Sequence, residues 1–134
     1  MYDRCACDSG PMHLDFAGAV LDLAVTNLDR SDAFYTVLLG RPADLRPQTD
    51  QREWRLHNSP EVAFRITAEP ESAGHGKLAL GVANLDAERS RLVQHWANLP
   101  AITEKPGVIA LLRIADPDGN KVTLWQDLLG SRRP

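Results

Sequence analysis

The sequence predicts an α+β fold: two tandem βαβββ modules forming a curved, partly open eight-stranded sheet around a concave cavity. Three observations carry this expectation. Val20–Ala33 and Lys77–Ser90 align at an offset of 57 residues, with identities at Leu21/Leu78, Leu23/Leu80, Val25/Val82, Asn27/Asn84, Leu28/Leu85 and Asp29/Asp86. In each copy an apolar row of period two runs into Asn-Leu-Asp, as a strand does when it hands over to a helix. Short strand-like runs separated by turn residues then complete each half. A repeat of this kind is one supersecondary unit used twice, and a single unit covers only one face of its sheet. Two units side by side leave a shared concave surface suited to a small ligand.

The elements follow in order. Residues 1–15 read as a disordered tail, 16–67 as the first module, 68–76 as a linker, 77–127 as the second module and 128–134 as a C-terminal tail, all within one structural domain. Leu21, Leu23 and Val25 alternate along the first strand. Asp29 is placed to cap the first helix, whose Phe34, Val37 and Leu38 recur at helical spacing, and Gly40 suits the left-handed residue beyond its end. Strands are expected over Ala43–Arg46, Glu53–His57 and Val62–Thr67, the last two joined by the turn "HNSPE". In the second half Asp86 caps a helix with Leu92, Val93 and Trp96 as its buried stripe and Pro100 as its stop. Strands are expected over Ile102–Glu104, Val108–Ala115 and Lys121–Gln126, the last pair joined by "DPDGN", where Pro fixes one dihedral and Gly supplies positive φ.

Bulk properties narrow the function. The chain of 134 residues is 43% hydrophobic and 25% charged, with a net charge of −3 and a pI of about 5.7. Overall basicity therefore does not point to nucleic acid. No apolar run approaches the roughly 18 residues that span a bilayer, and the N-terminus lacks the apolar core of a secretory signal. Both cysteines, Cys5 and Cys7, lie in the tail, too few for a metal site by themselves and expected as free thiols in a reducing cytoplasm.

The repeat, with "NLDRSDAFYTVLLG" after the first strand and "ADPDGNKVTLW" near the end, resembles the vicinal oxygen chelate superfamily of glyoxalases, bleomycin-resistance proteins and extradiol dioxygenases. The resemblance spans Val20 to Asp127 and rests most on Phe34-Tyr35 before Leu39-Gly40 and on Asp116-Pro117-Asp118-Gly119. It implies a divalent metal on the concave face, held by residues of the first strand, the first strand of the second half, and the last strand. Those positions carry Val20, Lys77 and Thr123, none of them a usual metal ligand. No metal and no cofactor are therefore expected, with a substitute site through His75 or His57 and the carboxylates Asp22 and Glu53 as the alternative.

Strand alternation places Asp22, Glu53, Arg55, His57, Arg65, Thr67, Lys77, Arg113, Lys121, Thr123 and Trp125 on the concave face. Five permanent cations against two carboxylates make a basic basin. Asp22, Arg55, His57, Arg65, Lys77, Arg113, Thr123 and Trp125 are the candidate ligand-binding residues, the arginines offering bidentate contacts and Trp125 a stacking face. Where a metal would sit, Asp22 and Lys77 could instead form an ion pair. The expected function is metal-independent binding of a small, anionic molecule by a cytoplasmic homodimer, with no nucleic-acid or membrane partner. The alternative is an enzyme of the same superfamily, a lyase, isomerase or dioxygenase, with displaced metal ligands or with Asp22 or His57 as a metal-free base. A third reading is an accessory domain with a vestigial cavity.

Overall fold

Apolar alternation at Leu21, Leu23 and Val25 becomes strand β1 (Gly18–Val25), followed by helix α1 (Leu28–Leu39), β2 (Gln51–Asn58) and β3 (Glu61–Ala68). A short 3-10 turn at Pro70–Ser72 leads to β4 (Lys77–Gly81), α2 (Leu85–Leu92), β5 (Thr103–Lys105), β6 (Ile109–Ala115) and β7 (Lys121–Asp127). The structure is a computed structural model and describes residues 12–130. Cys5 and Cys7 lie outside the described residues.

The two halves share one topology. The first sheet runs β1-β3-β2 and the second β4-β7-β6-β5. In each, the first strand lies parallel to the last, and the last pairs antiparallel with its predecessor. The α+β class and the two-half plan are as expected, but the described residues form seven strands in two separately bonded sheets. The strand expected at Ala43–Arg46 shrinks to one bridge, Leu45 to Glu53. Pro42 and Pro47 bracket that segment, and a residue without an N–H cannot extend a ladder.

Both helix starts fall two residues earlier than expected. Asn27 and Asn84, not Asp29 and Asp86, are the caps: their side-chain oxygens accept from the Arg30 and Ala87 amides at 2.9 and 3.0 Å. Asp29 and Asp86 stand in the first turn, where a carboxylate complements the helix dipole. Gly40 ends α1 with φ 78°, as expected. The buried face of α1 is Ser31, Tyr35 and Leu38, leaving Phe34 and Val37 half-buried. Helix α2 ends at Leu92, well before Pro100, so Val93 is exposed in the following turn and Trp96 lies just beyond that turn.

Each helix lies over its own sheet, and one core joins the halves. Tyr35, Trp54 and Phe64 form a buried ring cluster, with Tyr35 and Trp54 centroids 4.8 and 5.8 Å from Phe64. Leu85, Leu92, Leu112 and Val122 are the fully buried counterparts in the second half. At the junction Asn120 donates to the Ala24 carbonyl of β1 and accepts from the Gly76 amide. A Cβ at Gly76 would lie 2.5 Å from Leu23 Cδ2, so a larger residue there would displace the Leu23 side chain. Arg91 of α2 reaches across to the Val37 and Leu38 carbonyls at 2.6 and 2.7 Å, a cation on the negative end of α1. No helix among the described residues is long and apolar enough to cross a membrane.

Candidate functional site

On the open face of the first sheet the basic basin neutralises itself. Register sets Arg65 opposite Asp22 on one side and Glu53 on the other. Its guanidinium lies 2.9 Å from Glu53 Oε1 and 3.7 Å from Asp22 Oδ2. Thr67 Oγ1 donates to Asp22 Oδ1 at 2.8 Å. Asp22 therefore pairs with Arg65 and not with Lys77, because Arg65 is its direct cross-strand neighbour.

Arg55 is likewise engaged. Its guanidinium pairs with Glu61, and its amide donates to Asp44 Oδ2 at 2.7 Å. That bond, followed by the one from Arg41, holds the Asp44 carboxyl below its ordinary range. A bulge between Arg55 and His57 puts His57 opposite Val62, a residue of the helix-side row. His57 Nδ1 accepts from the Ser59 amide at 3.1 Å within the hairpin turn, so His57 stands apart from the basin.

The second sheet behaves differently. Lys77 and Lys121 are direct partners on adjacent parallel strands, and Thr123 links Ala79 to Arg113 in the next row on that face. Lys77, Arg113 and Lys121 have neither an ion pair nor a side-chain hydrogen bond among the described residues. All three line a cleft of about 1150 Å³. The cleft runs round the end of the second sheet, from Lys77, Ala79, Thr123 and Arg113 on the open face to Phe34, Trp96, Leu99 and Pro100 on the helix side. Trp125 lies one row further along, outside this lining. A Cβ at Gly81 would sit 2.7 Å from its ring, so glycine leaves the indole room to lie against β4.

One carboxylate, Asp116, lines the cleft among the described residues, and its acceptors are already engaged. Oδ2 receives the Tyr35 hydroxyl and Asn120 Nδ2, each at 2.8 Å, while Oδ1 receives the Asp118 and Asn120 amides at 2.9 Å. Burial first, then the hydrogen bond to Asp116 and the charges of Asp116 and Asp118, push the Tyr35 phenol far above its ordinary range. Tyr35 thus remains a donor throughout the neutral range.

Of the residues expected from sequence, the cleft gathers Lys77, Arg113 and Thr123, while Asp22, Arg55, Arg65, His57 and Trp125 lie elsewhere. The sequence reading did not assign Phe34 and Trp96 to the site. Their rings stack at 4.6 Å with an interplanar angle of 13°, across the two halves. Both read as core stripe from helical spacing, and nothing local to either segment signals the encounter.

The implied metal does not fit these side chains. Val20 has no donor atom, the Lys77 ammonium repels a cation, and the Thr123 hydroxyl is a weak ligand. No three His, Cys, Asp or Glu side chains among the described residues are grouped so as to hold a metal ion. Asp22 and Glu53, the carboxylates considered for a substitute site, hold Arg65 between them.

A family model described as a glyoxalase-like domain matches residues 18–125. Among solved structures, a glyoxalase/bleomycin resistance protein from Catenulispora acidiphila is similar at a TM-score of 0.72 and 24% identity, over 80% of this chain and 95% of that one. A lactoylglutathione lyase from Agrobacterium tumefaciens is similar at 0.67 and 17% identity, over 90% and 97% of the two chains. TnmS3, an antibiotic-binding protein from a Streptomyces species, is similar at 0.65 and 21% identity, over 86% and 99%. No curated protein matches the sequence.

Proposed function

Because the chain belongs to the glyoxalase-like domain family, within the vicinal oxygen chelate superfamily, we propose that it is a metal-independent binder of a small anionic molecule. The observation that carries this reading is the trio Lys77, Arg113 and Lys121, three cations lining one cleft without a carboxylate partner among the described residues. Two lysines placed opposite each other repel, and an anion between them relieves the repulsion. The antibiotic-binding neighbour supports the reading by showing that this fold hosts a small-molecule binder. We further propose that the protein acts as a homodimer, as twofold association is the commonest symmetry of soluble oligomers. The enzymatic alternative has less support: Asp22 is committed to Arg65 and Thr67, and His57 to its own turn.

The test is a thermal-shift panel of small carboxylates and phosphates on untagged protein, repeated with Lys77→Ala/Lys121→Ala, beside metal quantification. Stabilisation by anions that disappears in the double variant, with metal far below one equivalent, is expected. Stoichiometric metal whose removal abolishes ligand binding would overturn the reading.

A further inference from the structure

We infer that the ligand of this cleft is amphipathic, with its anionic group at Lys77, Lys121 and Arg113 and a flat aromatic body against the Phe34–Trp96 wall. The inference rests on the anion-site reading above and adds the chemical class of the ligand. A cleft of about 1150 Å³ far exceeds what a bare oxyanion fills, since pockets of roughly 300–1,000 Å³ already bury drug-sized molecules.

Its two ends also differ in chemistry. The open-face end presents three cations and the Thr123 hydroxyl. The helix-side end presents the stacked rings of Phe34 and Trp96 with Leu99, Pro100 and Pro117. Both rings are half-buried, and the Trp96 indole N–H has no partner among the described residues, whereas that of Trp54 donates to the Arg41 carbonyl. A small inorganic anion would leave the aromatic end to water. A neutral aromatic would leave three charges unmatched. A planar acid satisfies both ends at once, stacking against Trp96 or Phe34 and pairing its carboxylate or phosphate with the cations.

Three probes separate the contributions: 2-naphthoate carries both features, cyclohexanecarboxylate the anion on an aliphatic ring with no flat face to stack, and 2-naphthamide only the aromatic body. Affinities are read from amide and indole shifts of the isotopically labelled full chain. We expect 2-naphthoate to bind at least about threefold more tightly than cyclohexanecarboxylate and more tightly than 2-naphthamide. Trp96→Ala should bring 2-naphthoate close to the level of cyclohexanecarboxylate and weaken the latter far less; Trp96→Leu, which keeps an apolar contact with Phe34, serves if the alanine variant does not fold. Lys77→Ala/Lys121→Ala should weaken both carboxylates and spare 2-naphthamide. Equal affinity for the two carboxylates in the parent protein overturns this inference and leaves the anion site standing. Equal affinity for 2-naphthoate and 2-naphthamide overturns the anion site itself. Absence of saturable shifts with every probe overturns both.

Discussion

The Tyr35 hydroxyl donates to Asp116 Oδ2 at 2.8 Å, joining residues 81 positions apart in the two halves. The two sequence marks that most suggested the superfamily, Phe34-Tyr35 and Asp116–Gly119, are thus two sides of one contact. Asp116 gathers four hydrogen bonds there, and Asp118 adds the Thr26 amide and the Arg30 guanidinium. Asp116→Ala strands several buried donors at once and should cost at least about 3 kcal/mol. Tyr35→Phe leaves Asn120 on Oδ2 and should cost about 1 kcal/mol. Denaturant midpoints of the two variants check the order.

The same phenol sets a pH dependence. Its folded-state ionisation is raised above the ordinary value of 10.0, so the native state keeps its proton where the unfolded chain loses it. The stability from this group is complete below pH of about 10 and falls as pH rises beyond it. Tyr35→Phe should lose less stability than the parent between pH of about 9 and 11, as read by melting curves. Parallel curves would remove Tyr35 from the account.

Cations on the two sheets should respond oppositely to truncation. Arg65→Ala leaves Asp22 and Glu53 flanking a neutral residue, and it should destabilise by about 1–2 kcal/mol after allowing for solvent screening. Lys77→Ala removes a like-charge neighbour of Lys121 and should leave stability unchanged or raise it by a few tenths of a kcal/mol. Urea unfolding of both variants in low salt measures the contrast.

Cap positions give a sharper local test. Asn84→Ala should cost about 1 kcal/mol, because it frees the Ala87 amide, whereas Asp86→Ala should cost less than half as much. Equal losses in thermal unfolding would restore Asp86 as the cap.

Features written in local chemistry were legible in the sequence. Strands β1 and β4, Gly40 and the Asp-Pro-Asp-Gly turn each need only neighbouring residues and formed where expected. Of the apolar row expected along β1, however, only Leu23 and Val25 are buried, while Leu21 is 39% exposed. The strand at Ala43–Arg46 failed because its flanking prolines outweigh its pattern. Charge partnering was not legible, since it depends on cross-strand register: Arg65 meets two carboxylates, while Lys77 meets Lys121. His57 left the concave row through a bulge that alternation cannot foresee. Phe34 and Trp96 met only through the docking of one half on the other.

An anion site built from the unpaired cations of the second sheet, and not from the paired cations of the first, sets which residues sense a bound anion. Titration of the labelled chain with inorganic phosphate distinguishes the two sheets. Saturable shifts at Lys77, Arg113, Lys121 and Thr123, with Asp22, Glu53 and Arg65 unmoved, are predicted. Shifts of equal size on both sheets, or none at Lys77 and Lys121, would rule out an anion site on the second sheet.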